Sequence, residues 1–148
     1  MHYKIDNTSF IVRLYGITQD PETKNYMVVW NEICEICEYI CNTIHFQRNF
    51  ENWTSGNNDI DKFIQNTQLS NHNYTYKVLE WIPYDRFYDI KYIAKGGFGK
   101  VYKAIWIDGH ILDWDNINQN WVRKSNKFVA LKSLNNSKNV TLEFINEV

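Results

Sequence analysis

The feature that most constrains this chain is a glycine cluster set between two stretches of alternating residues. Tyr88, Ile90 and Tyr92 alternate with Asp89 and Lys91, then Gly96-Gly97-Phe98-Gly99 interrupts, and VYKAIWI resumes from Val101. Alternation with period two is what a half-buried strand requires. Glycine permits the tight reversal and the close backbone approach that a hairpin tip needs. The pattern predicts a two-stranded antiparallel hairpin over residues 88–107 with its tip at Gly96 to Gly99. Phe128 to Leu134 predicts a third strand pairing beside it.

The rest of the chain divides by texture. FIVRLYGI and YMVVW flank TQDPETKN, whose Pro21 and polar residues carry turn chemistry, so Phe10 to Trp30 predicts a second hairpin. From Asn31 to about Leu69 the period changes. Ile33, Ile36, Cys37, Ile40, Cys41 and Ile44 follow three- and four-residue spacing and predict a helix. Asn57, Asn58 and Asp59 offer the start of another, with Ile60, Phe63 and Ile64 on one face. The polar stretch from Gly109 to Lys127 predicts a connection, extended as a hairpin that turns at Asp108-Gly109. Thr141 to Val148 predicts the beginning of a helix. The expected units are a β-hairpin over 1–30, a helical segment over 31–75 and a glycine-loop unit over 76–148. The fold class is α+β, with the 10–30 hairpin docking beside the third strand to complete a five-stranded antiparallel sheet.

Composition narrows the function classes. With 44% apolar and 16% aromatic residues, 148 residues suffice for one folded unit. Sixteen Lys and Arg against 17 Asp and Glu leave a formal charge of −1, no electrostatic case for a nucleic-acid or anionic-membrane partner. No apolar run resembles a secretory signal or a membrane span, so a cytoplasmic chain is expected. The 19 Asn residues suit turns and caps.

Cys34, Cys37, Cys41 and His45 raise a zinc reading, since they supply four donors of the right type. On a straight helix, however, positions i, i+3, i+7 and i+11 run along a stripe about 16 Å long. Four ligands cannot reach one metal from such a stripe, so the expectation is core-facing thiols and no metal. Asp59 with Asp61, and Asp113 with Asp115, read as helix-start and turn carboxylates. Trp106, Trp114 and Trp121 read as a packing cluster.

The chemistry-bearing unit is the glycine turn followed, about 30 residues on, by a lysine in a strand. Ala130 and Lys132 are two apart and share a face. A small residue there leaves room for a flat ring, and the lysine can reach phosphates held under the glycine turn. AKGGFGKV, Ala94 to Val101, resembles the glycine-rich loop of the protein kinase family, and VALK, Val129 to Lys132, resembles its third-strand motif. Gly96, Gly99 and Val101 occupy the second glycine, third glycine and valine of that pattern, with Ala94 where the family has its first glycine. WIPYDRFYDIKYIAKGGFG resembles the tyrosine-kinase-like group in particular.

This resemblance implies an amino-terminal lobe in which Ala94, Gly96, Gly97, Phe98 and Gly99 cover ATP, with Mg²⁺ arriving only with the nucleotide. Val101 and Ala130 would roof the adenine, and Lys132 would pair the α- and β-phosphates. LEFINEV, Leu142 to Val148, resembles the helix that supplies the lysine's partner, which would be Glu147. IVRLYGITQDPETKNYMVVW resembles the fourth and fifth strands of the same lobe, placed here ahead of the first, with Trp30 near the position that gates the pocket. No His is followed by Arg-Asp, and no Asp-Phe-Gly occurs. The catalytic aspartate and the metal-holding aspartate of phosphoryl transfer are therefore absent from these residues. The expected function is an ATP-binding lobe incomplete for catalysis. The alternatives are a non-catalytic interaction or regulatory module with residues 31–69 as its protein-binding face, or a gene fragment without independent activity.

Overall fold

A computed structural model describes residues 2–5, 8–34, 36–38, 40–97, 99–135 and 137–138. The fold is mixed, with antiparallel sheets and two α-helices among the described residues. Strands β1 (His2–Ile5), β2 (Thr8–Gln19) and β3 (Tyr26–Cys34) form one three-stranded sheet in the order β1-β2-β3. Helices α1 (Asn42–Gln47) and α2 (Asn58–Ser70) follow. Strands β4 (Phe87–Gly96), β5 (Gly99–Trp106) and β8 (Lys127–Leu134) make a second sheet, ordered β4-β5-β8. Between β5 and β8 the chain makes a separate hairpin of β6 (His110–Asp115) and β7 (Asn120–Lys124).

The glycine hairpin forms with its tip at Gly96 to Gly99, as expected, and its register shifts between Tyr88 and Lys91 and between Tyr92 and Ala94. Gly96 pairs with Gly99, Ala94 with Val101 and Phe87 with Trp106, while β5 lies antiparallel to β8 with Val101 opposite Lys132. The hairpin between β2 and β3 forms where Pro21 and its polar neighbours stand. It does not join β8, however. The five-stranded sheet expected from sequence is replaced by two separate three-stranded sheets. The β6–β7 hairpin turns at residues 116–119 rather than at Asp108-Gly109, which instead lead into β6.

The largest departure lies at the cysteines. The segment predicted as a helix from residue 33 remains strand through Cys34, because Ile33 and Cys34 continue the ladder opposite Ile11 and Phe10. A turn follows over residues 36–38, and helix begins only at Asn42. A few apolar residues at three- and four-residue spacing fit a strand followed by a turn as well as they fit a helix, and cross-strand pairing decides between them. By contrast α2 starts where its caps put it. The Asn57 side chain accepts from the N–H groups of Asp59 (2.9 Å) and Ile60 (3.2 Å).

The core lies between the helices, the end of β3 and the β5–β6 corner. Cys34, Cys41, Ile44, Phe46, Ile64, Ala104, Trp106 and Ile111 are buried there. Helix α1 and the short turn at Thr75 after α2 pack on the β6–β7 hairpin. Phe46 stacks on Trp121 with centroids 4.4 Å apart, and Thr75 donates to the Leu112 carbonyl at 3.1 Å. Arg123 forms an ion pair with Glu80 and also donates to the Gly109 carbonyl at 2.9 Å. No helix among the described residues is long and apolar enough to cross a membrane.

Candidate functional site

Residues directly opposite in an antiparallel ladder share a face, as do residues two apart in one strand. The pairs Ala94–Val101, Val101–Lys132 and Lys103–Ala130 therefore bring Ala94, Val101, Lys103, Ala130 and Lys132 to one face of the β4-β5-β8 sheet. That face is open: Ala94, Ala130 and Lys132 are exposed and Val101 is half-buried. The opposite face carries Ala104 and Trp106, both buried. The sequence-predicted ring-facing residues and the lysine are thus brought together on an accessible surface. Phe98 and Glu147 lie outside the described residues, and so does the predicted helix over 141–148.

The glycines of the cluster are not equivalent. A side chain on Gly96 or Gly97 would meet nothing within 4 Å. Gly99 has φ +151°, and a Cβ there would lie 1.7 Å from the Ser133 carbonyl oxygen. Its lack of a side chain is what allows β5 to pair with β8. Trp30, expected near the back of the nucleotide pocket, is 51% exposed and belongs to the other sheet.

The aromatic residues gather elsewhere. Trp114 and Trp121 meet edge to face at 4.9 Å, and His45 stacks on Trp114 at 3.9 Å. His45 is thereby committed to an aromatic stack and is not grouped with the cysteines. Burial, followed by the nearby Arg48 charge, holds its imidazole below the usual value of 6.5. The unfolded chain therefore takes up this proton more readily than the folded one. The stability His45 contributes is fully present above pH 6.5 and is lost as pH falls below it. Replacing His45 by Phe, which keeps the stack, should flatten that part of the profile. Urea midpoints of both proteins on either side of pH 6.5 check this, and parallel acid losses would refute it.

The aspartate pairs do turn and cap work. Asp61 accepts from Ser55 and Thr54 ahead of α2, and Asp115 accepts from the N–H groups of Ile117 and Asn118. Beside the buried aromatics lies a cavity of about 380 Å³, lined in part by Phe46, Gln68, Trp106 and Trp121. At its edge Arg86 grips Asp108 through two hydrogen bonds of 2.8 and 2.7 Å, holding that carboxyl below the usual carboxylate range.

The cysteines require a correction of the helical-stripe geometry. They stand at a strand end, in a turn and at the start of α1, and their sulfurs converge on His72 from the loop after α2. One ligand atom from each of Cys34, Cys37, Cys41 and His72 lies within 4.8 Å of the others. His72 Nδ1 is 3.2 Å from Cys34 Sγ and 3.4 Å from Cys41 Sγ. Burial, together with the Cys41 and Cys34 thiols, pushes the Cys37 thiol up to about 12. The sequence reading weighed only His45, which is nearer in the chain, and set a metal aside on helical geometry. The available signal was a histidine in the polar stretch that closes the helical segment, 31 residues after Cys41.

No family model matches this chain, and neither a curated protein nor a solved structure matches it.

Proposed function

We propose that the β4-β5-β8 sheet is the nucleotide-facing part of a protein-kinase-like amino-terminal lobe, and that these residues do not complete phosphoryl transfer by themselves. The supporting observation is the shared face of Ala94, Val101, Ala130 and Lys132 beside a glycine tip. Amides of the tip would face the phosphates, Val101 and Ala130 the adenine, and Lys132 the α- and β-phosphates. Mg²⁺ would arrive with ATP. An open face leaves the nucleotide largely solvated, so its charge contacts are weakened by water and salt. Affinity should be no tighter than roughly millimolar, near −4 kcal/mol.

Backbone amide NMR during an ATP–Mg²⁺ titration tests this reading. Saturable shifts are expected at Gly96, Val101 and Ala130, and Lys132→Met should remove them. Shifts that bypass β5 and β8, or that survive Lys132→Met, would refute nucleotide binding here. Phosphate incorporated from labelled ATP in a Lys132-dependent way would refute the incompleteness.

One observation favours a second reading, a non-catalytic interaction module. Leu14 (67%), Ile17 (74%) and Trp30 (51%) are exposed on the β2–β3 hairpin. Residues 31–69, expected as the protein-binding face, add the exposed Ile36 and Ile40, while Ile64 of α2 is buried. In that reading ATP leaves the amides of β5 and β8 unshifted.

A further inference from the structure

We propose that Cys34, Cys37, Cys41 and His72 form a structural zinc site, bound through three sulfurs and His72 Nδ1. The spacing of the donors fits this metal. Zn–S bonds of about 2.3 Å and Zn–N bonds of about 2.0–2.1 Å put tetrahedral sulfurs roughly 3.8 Å apart and sulfur from nitrogen roughly 3.6 Å. The four donor atoms here lie within 4.8 Å of one another, with sulfur–nitrogen separations of 3.2 and 3.4 Å. Closing the cage asks for shifts of a few tenths of an ångström to about 1 Å, within side-chain reach.

The backbone supplies a second, independent observation. The Glu38 N–H donates to the Cys34 carbonyl at 2.8 Å, and Glu38 takes φ +60°. A non-glycine residue in that region is uncommon, and here it reverses the chain immediately after Cys37. The reversal lies in the turn at residues 36–38, and the thiols of Cys34 and Cys37, three residues apart, face one point. Cys41 then enters from the start of α1, and its sulfur lies 2.8 Å from the hydroxyl of the fully buried Thr43. A hydroxyl donating to a bound thiolate is the kind of outer contact that orients metal ligands.

The donor set selects the metal class. Three sulfurs and an imidazole suit zinc, whereas calcium and magnesium take oxygen ligands. Four protein donors also make a closed site of the structural kind. Binding converts three thiols to thiolates and releases three protons. Zn²⁺, three thiolates and a neutral imidazole carry a net charge of −1, and no oxidation state changes. The site shares no residue with the proposed nucleotide face and stands or falls apart from it.

The test uses the full chain. Elemental analysis of purified protein should find one zinc per chain. Cobalt replacing it should give the intense visible bands and sulfur-to-metal charge transfer of a tetrahedral thiolate site. Removing an outer partner typically costs about 10–100-fold in metal affinity, so His72→Asn should cost at least about a hundredfold. His45→Gln should keep full stoichiometry and the cobalt spectrum. Wild-type protein without zinc and without the tetrahedral cobalt spectrum would overturn the proposal. So would a disulfide among the three cysteines, or zinc lost in His45→Gln but kept in His72→Asn.

Discussion

Stripping zinc with a strong chelator is expected to unfold the segment between β3 and β4 and to lower the melting temperature of the whole chain. The four donors come from the end of β3, the turn after it, the start of α1 and the loop after α2. They tie together a segment whose two helices have only 6 and 13 residues. Isolated helices of such length are marginal in water. Structural zinc contributes an apparent binding energy of about 10–16 kcal/mol in small zinc-dependent peptides, against about 5–15 kcal/mol for the net stability of a typical domain. If only about 4 kcal/mol of this reaches folding, a chain of this size should melt roughly 8–16 °C lower. Circular dichroism should show helix signal falling with the metal and returning with added zinc. An unchanged melting curve after zinc has been removed would show that the helices are held by packing alone.

The second large effect is expected at Gly99. Substituting alanine places a Cβ 1.7 Å from the Ser133 oxygen and 2.8 Å from its carbonyl carbon, both backbone atoms that cannot swing aside. The residue also sits at φ +151°, where a side chain is strained at a cost of order 1–3 kcal/mol. Strand β5 must then pull away from β8, so Gly99→Ala should cost about 3 kcal/mol or more. Gly97→Ala meets no atom within 4 Å, and its cost should stay near the ±0.5 kcal/mol usual for surface changes. Chemical denaturation of the two variants checks the contrast. It also separates two meanings of a glycine-rich turn. Gly99 is required by strand pairing, whereas only Gly96 and Gly97 have a backbone open enough to be kept clear for a ligand. Equal losses in both variants would erase that distinction.

The parts of the fold legible in the sequence were those governed by neighbours in the chain. Alternation on both sides of Gly96–Gly99 located β4 and β5, and a capping asparagine at residue 57 located α2. Legibility failed where distant pairing decided the outcome. Residues 33–37 carry spacing that suits a helix, yet partners on β2 hold Ile33 and Cys34 in a strand. The same dependence hid the metal ligands. Once the segment is a strand and a turn, the thiols converge, but the fourth donor is supplied by a loop beyond two helices. His45, the histidine nearer the cysteines in the chain, stacks on Trp114 instead. The separateness of the two three-stranded sheets was likewise invisible, since nothing in a strand's own residues names the edge it will meet.

The closeness of Cys34 to His72 fixes where the helical segment begins and ends. The chain leaves the first sheet at Cys34 and returns, 38 residues later, to a point 3.2 Å from the same sulfur. Such a segment is an excursion with a closed base, so the length of chain it contains is decoupled from the course of the strands on either side. Extra residues between the two helices would enlarge the excursion without moving its base. The entropic penalty grows only with the logarithm of loop length, about 0.6 kcal/mol for each doubling. The fold thus carries one region where growth and shrinkage are cheap, bounded by four side chains that must stay in place.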